Sequence, residues 1–168
     1  MQGHLQMNEE YLQFSEKVIS LAKGSRLNHG WICPSGSMAN ENALKMLRQK
    51  NSPARKIIAM KDSFAGRTTM MAEVTDNPNY KVGLPSYDEV LRVPFYEKGD
   101  PESSRKSLEI LRQHIAENPG DISCFYFEPM LGEGGYKVAP KEYFIPLFEE
   151  CKKLSLIHIS EPTRPVPI

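Results

Sequence analysis

Apolar residues recur along the chain first at helical spacing and then in short unbroken runs. Tyr11, Phe14, Val18 and Leu21 fall at i, i+3, i+7 and i+10 between charged residues, which predicts an amphipathic helix over residues 8 to 23. Lys23-Gly24-Ser25 supplies its stop, since glycine takes the left-handed cap conformation at low cost. The apolar run Gly30 to Cys33 predicts a short buried strand, and Pro34-Ser35-Gly36-Ser37 turns the chain into a second helix with Ala39, Ala43, Leu44 and Leu47 as its apolar positions. Lys56 to Met60 predicts the next strand and Val90 to Phe95 a weaker one, with a long surface loop from Thr75 to Pro85 between them.

Asp100-Pro101-Glu102 is a helix start, and Leu108, Leu111 and Ile115 give that helix its buried face. Ile122 to Phe127 is the strongest strand in the chain. It is rich in β-branched and aromatic residues and apolar on both faces, as the middle of a parallel sheet covered by helices requires. A glycine-rich loop, Leu131 to Gly135, leads to a last helix from about Pro140 to Lys153, with Tyr143, Leu147 and Cys151 on one side. Strands alternating with helices predict an α/β layer fold with a mostly parallel sheet. Residues 154 to 168 do not continue this alternation. Three prolines fall in the last seven residues, and no helical or strand pattern runs to useful length. The expected division is therefore a domain over 1–153 and an unrelated tail, disordered or artefactual, over 154–168, which leaves the strand at 122–127 on an open sheet edge.

Charge narrows the partners. Lys+Arg and Asp+Glu both number 21, so the formal net charge is zero, which argues against a nucleic-acid or membrane-surface partner held by bulk charge. No apolar run approaches the roughly 20 residues of a membrane span, and the N-terminus has neither the basic nor the apolar region of a signal peptide. Cys33, Cys124 and Cys151 are odd in number and far apart, so they are expected as free thiols in a reducing compartment, the cytoplasm. With the four histidines they form no metal-ligand spacing.

Three glycine-containing turns fall just after strands, where α/β enzymes place their sites. Ser35-Gly36-Ser37 opens a helix whose free N–H groups suit a phosphate, although serine and glycine there also serve simply as a cap. In Ser63-Phe64-Ala65-Gly66-Arg67-Thr68 the aromatic can lie against a ring and Arg67 can hold a carboxylate; on these residues alone, core packing for Phe64 and a surface ion pair for Arg67 are the commoner alternative. In Glu128-Pro129-Met130-Leu131-Gly132-Glu133-Gly134-Gly135 an acid stands directly after a buried strand, as a site carboxylate or as a brace for its loop.

In order and approximate spacing, PSGSMANENALKMLR, KIIAMKDSFAGRTTMMAEVT and ISCFYFEPMLGEGGYKVAPKEYF resemble three segments of the class III, ornithine-type aminotransferases, over roughly residues 8 to 153. The resemblance implies pyridoxal 5'-phosphate as cofactor, a partial type I transferase large domain, and a homodimer acting on an amino donor and a 2-oxo acid acceptor. It implies that Gly36 and Ser37 hold the cofactor phosphate, that Phe64, with Ala65 beside it, stacks on the pyridine ring, and that Glu128 lines the pocket. Arg67 is implied for a substrate carboxylate, and Glu133 for pairing with an arginine far downstream. Met38, Asn42 and Ala65 depart from the residues common in the family, and Ala65 leaves more room beside the ring. The family's pyridine-pairing acid and cofactor-bearing lysine come later still, and no lysine follows Lys153. The chain by itself is therefore expected to be inactive, whether as a fragment of an aminotransferase, a binding or dimerisation remnant, or a truncated gene-model product.

Overall fold

The computed structural model describes residues 8–22, 24, 29–153 and the main chain of 157–160. The chain divides into two compact units, 1–35 and 36–168. In the first, helix α1 (Glu9–Leu21) is capped by Asn8, whose side chain accepts from the N–H of Tyr11 at 2.8 Å. Its apolar stripe forms as expected, yet none of its residues is buried, and Phe14, Val18 and Leu21 are exposed. Gly24 has a positive φ, while Lys23 and Ser25 lie outside the described residues. Residues 30 to 33 are not a strand: the segment is apolar but belongs to neither sheet, and apolar character alone does not make a strand.

The second unit is built on four strands, β1 (Lys56–Met60), β2 (Val90–Val93), β3 (Ile122–Phe127) and, after a small hairpin, β6 (Ile157–Ser160). They form one sheet in the order β2-β1-β3-β6, parallel throughout. Ile57 stands opposite Val90 on one side and Cys124 on the other, so β1 and β3 form the middle of the sheet. Alternate residues then face opposite layers. Ile58, Met60, Phe125 and Phe127 pack with α4 (Ser103–Glu117) and α5 (Lys141–Lys153) through Leu111, Tyr143, Phe144, Leu147 and Cys151. Ile57, Ala59, Cys124 and Tyr126 pack on the other side with α2 (Gly36–Lys50) and α3 (Thr69–Val74) through Leu44, Leu47, Met71 and Val74. All six residues of β3 are buried, as its two-faced apolar run predicts.

Three elements differ from the sequence reading. The helix after Asp100 begins at Ser103, because the Asp100 side chain accepts from the N–H of Glu102, one turn earlier. The glycine-rich loop contains the small antiparallel hairpin, β4 (Met130–Leu131) with β5 (Lys137–Val138), too short for period-two patterning to reveal. Residues 157–160, expected as part of a tail, pair in parallel with β3 from Cys124↔Ile157 to Phe127↔Ser160, so β3 is not an edge. A four-residue strand beside a fully buried neighbour needs little pattern of its own, because β3 supplies the template. Residues 154–156 and 161–168, the rest of that expected tail, lie outside the described residues.

Candidate functional site

The three turns singled out from sequence meet past the carboxyl ends of β1 and β3. Helix α2 opens with Gly36 and Ser37 and has no acidic residue in its first turn, so its free N–H groups face no competing carboxylate of their own helix. The Ser37 hydroxyl accepts from the N–H of Arg67 at 3.3 Å, which joins the first turn to the second. Gly66 makes that approach possible. Its φ is +136°, and a Cβ there would lie 2.2 Å from Ser37 Oγ and 2.8 Å from Ser37 Cβ.

The turn between β1 and α3 is pinned from below by buried polar side chains. Asn40 of α2 donates to the carbonyl of Ala65 at 2.8 Å. The Thr75 hydroxyl accepts from the N–H groups of Ala65 and Gly66 at 2.9 and 3.2 Å and donates to the Gly66 carbonyl at 3.0 Å. The Tyr126 hydroxyl of β3 donates to the Phe64 carbonyl at 2.8 Å. Arg92 of β2 reaches under the same turn with its guanidinium on the carbonyls of Met60, Glu73 and Thr75, beside Asp76. Burial holds its pKa below the ordinary arginine value, while Asp76 works in the opposite direction. Ala65 is buried in the α2–α3 core, with both backbone polar groups engaged, so it supports the turn from behind.

Glu128 joins the second turn to the third. It is buried, and its carboxylate accepts from the N–H of Phe64 at 2.7 Å through one oxygen and from that of Gly132 at 3.3 Å through the other. The loop-bracing role open from sequence is thus present in the hydrogen bonds. Gly134 lets the third turn lie against the second: a Cβ there would meet the Asp62 carbonyl at 2.6 Å. Above this base, Phe64 is half-buried and Arg67 exposed. Among the described residues, Arg67 enters no ion pair.

Sequence reasoning passed over four residues that build this arrangement: Asn40, Thr75, Arg92 and Tyr80, whose hydroxyl donates to Glu133 Oε1 at 3.2 Å. Asn40 sits among the apolar positions of α2, and only its placement one turn before Leu44 marked it as inward-facing. Thr75 and Tyr80 fall in what reads as an ordinary polar loop. Arg92, a cation inside a four-residue strand, was the available signal, since such a charge needs buried partners.

A parallel sheet with a glycine-opened helix, an aromatic side chain and a braced carboxylate gathered past its strand ends has the layout of an α/β enzyme that binds its ligand along that edge. The family model described as aminotransferase class-III matches residues 2–161, and the chain belongs to that family. A mitochondrial acetylornithine aminotransferase of Eremothecium gossypii is 34% identical over 160 residues, covering 90% of this chain and 36% of the relative. A probable 4-aminobutyrate aminotransferase of Bacillus subtilis is 27% identical, covering 94% and 38%. Among solved structures, a transaminase from the marine bacterium Virgibacillus superposes with a TM-score of 0.82 at 26% identity, covering 94% of this chain and 36% of that one. The lysine aminotransferase of M. tuberculosis in its internal aldimine form gives the same TM-score at 23% identity, a likeness of fold alone. The chain thus spans a little over a third of the length of the relatives it matches. Some of those relatives are named as mitochondrial and others are not, and no described helix is long and apolar enough to cross a membrane.

Proposed function

We propose that the whole protein is a pyridoxal-phosphate-dependent aminotransferase that moves an amino group from an amino acid or ω-amine to a 2-oxo acid, and that it works as a homodimer. The observation that carries this reading is the joining of the three turns: Arg67 N–H to Ser37 at 3.3 Å and Phe64 N–H to Glu128 at 2.7 Å. An anion-binding helix end, an aromatic and a guanidinium thereby share one edge of the sheet.

The residues present suit the cofactor. Gly36 and Ser37 receive its phosphate at the start of α2, where no acidic side chain stands in the first turn. Phe64 lies against the ring face, on a backbone fixed at its N–H by Glu128 and at its carbonyl by Tyr126. Ala65 holds that backbone against the core. Arg67 takes a substrate carboxylate with two parallel hydrogen bonds, and Glu133, on the neighbouring turn, is available to pair with a cation from the rest of the protein. When bound, the cofactor supplies an electron sink for charge developing at the donor carbon.

The reading is tested by equilibrium dialysis of the chain against pyridoxal phosphate and against pyridoxal. Tighter binding of the phosphorylated form, by at least about tenfold, is expected from the helix-end contacts. Equal affinity for the two overturns the assignment of Gly36 and Ser37. In the whole protein, a donor panel of acetylornithine, ornithine, lysine and 4-aminobutyrate identifies the substrate, with Arg67→Ala raising KM most for donors that carry an α-carboxylate.

A further inference from the structure

We propose that Arg92 is a positioning residue for the reaction: from the neighbouring strand it clamps both flanks of the segment that carries Phe64 and Arg67. This deepens the assignment of those side chains to the cofactor ring and a substrate carboxylate, and rests on it. Arg92 stands in β2, at one end of the strand order. Among the described residues its hydrogen bonds and ion pair go to the flanks of the segment, not to Phe64 or Arg67. On the first flank, Nη1 donates to the carbonyl of Met60, the last residue of β1, at 3.2 Å and to the Ser63 hydroxyl at 3.4 Å. On the second, Nη2 donates to the carbonyls of Glu73 and Thr75 at 3.0 and 3.2 Å, and Nε lies 3.5 Å from Asp76 Oδ1. Asp76 then joins the flanks directly. Its Oδ2 accepts from the N–H of Asp62 at 2.9 Å, 14 residues away, and its own N–H donates to the Ser63 carbonyl at 2.8 Å.

A guanidinium suits this place because its donors form a rigid planar fork, and here all three nitrogens are engaged. The carbonyls at the end of α3 lack partners within their helix and carry partial negative charge, so they favour a cation. Asp76 balances the buried charge. A lysine would keep that charge but offers a single nitrogen, too few to span both flanks. Thr75 carries the effect to the site. Arg92 holds its carbonyl, and its hydroxyl holds the N–H groups of Ala65 and Gly66, which lie between Phe64 and Arg67. The helix start at Gly36 and Ser37 belongs to α2 and receives no hydrogen bond from Arg92. Loosening the clamp therefore disturbs the ring and carboxylate contacts and leaves the phosphate contact in place.

The test uses the whole protein and two readouts that need no turnover: calorimetry of glutarate, an unreactive dicarboxylate, and equilibrium dialysis of pyridoxal phosphate and pyridoxal against the cofactor-free form. Arg92→Lys is expected to weaken all three about fivefold, with the preference for the phosphorylated form unchanged. Asp76→Asn, at a partly exposed residue, is expected to weaken them about threefold in the same pattern. The double variant should be no weaker than Arg92→Lys alone, since two members of one clamp do not add. A merely structural Arg92 predicts a lower melting temperature with wild-type affinities in the folded fraction. That result overturns the proposal, as does a lost phosphate preference or additive effects; should Arg92→Lys not fold, wild-type binding by Asp76→Asn overturns it. Arg67→Ala separates the two levels. If it weakens glutarate while the clamp variants bind like the wild type, only the role of Arg92 falls; if it leaves glutarate unchanged, the carboxylate reading falls and takes the proposal with it.

Discussion

The two faces of the sheet are held by different means. On the α4–α5 side the contacts are mostly apolar and largely aromatic: Phe95, Phe125, Phe127, Tyr143, Phe144 and Phe148 pack ring against ring, several pairs at steep angles, and the buried hydroxyls of Tyr143 and Ser107 donate to the Pro94 carbonyl, away from the turn at Phe64–Gly66. On the α2–α3 side the apolar residues are smaller, and buried polar side chains are aimed at the backbone of one turn. Burial of area is non-directional; it stabilises a layer without fixing any one atom. Hydrogen bonds donated by Asn40 and Tyr126 and accepted by Thr75 and Glu128 fix the Phe64–Gly66 backbone to within the tolerance of a donor and its acceptor. One face therefore holds the domain together, and the other aims the site.

That division makes the largest expected effect a loss of stability without a loss of site. Leu111 of α4 is fully buried in the aromatic layer. Leu111→Ala removes its packing and leaves a cavity, for a destabilisation of about 3 kcal/mol. Chemical denaturation should register this, while the folded fraction still binds pyridoxal phosphate with unchanged affinity. A parallel fall in affinity would show that the aromatic face also positions the turn, and the contrast would dissolve.

The converse is Gly66→Ala. The new Cβ would lie 2.2 Å from Ser37 Oγ at a backbone φ of +136°, so the turn and the start of α2 must separate. Strain of about 1–3 kcal/mol at such a position falls on the site, because Gly66 carries no packing of its own. Cofactor affinity is expected to drop about tenfold or more, with a melting temperature lowered by only about 2–4 °C for each kcal/mol of that strain. A large loss of stability with intact binding would invert the assignment of the two faces.

The same contrast explains what was legible in the sequence. Strands β1 and β3 and helices α4 and α5 are apolar-patterned, and periodicity finds them because area burial depends only on which residues are apolar. The three turns were visible as glycine-bearing segments, two of them after strands and one at a helix start, and their resemblance to one family fixed their order. The pins were not visible. Asn40 and Thr75 look like ordinary polar residues until the turn they serve is folded above them, 25 and 10 residues away in sequence from Ala65. Tyr80 is similar: nothing in a loop with asparagine and proline reveals that its phenol meets Glu133 across 53 residues. The strand at 157–160 escaped for a related reason, since its pairing is dictated by β3 rather than by its own residues.

The smallest effect concerns polar contacts that are not buried. Glu150 of α5 receives Arg112 of α4 at 2.7 Å and Lys153 at 2.6 Å, both cations largely in solvent. The hydrogen bond from Arg112, then that from Lys153, holds the Glu150 carboxyl down at about 2, below its ordinary value of 4.5. A lowered folded-state value means that the contribution is complete above about 4.5 and is lost as the pH falls towards about 2. Solvent screening keeps it small, so Glu150→Gln should lower the melting temperature at pH 7 by only about 1–2 °C. The gap should close as the pH is lowered through that window and shrink in high salt. If the bridge between α4 and α5 instead proved worth as much as the packing of Leu111, polar contacts would count on both faces alike. Burial would then no longer be what separates the pins under Phe64 from an ordinary surface pair.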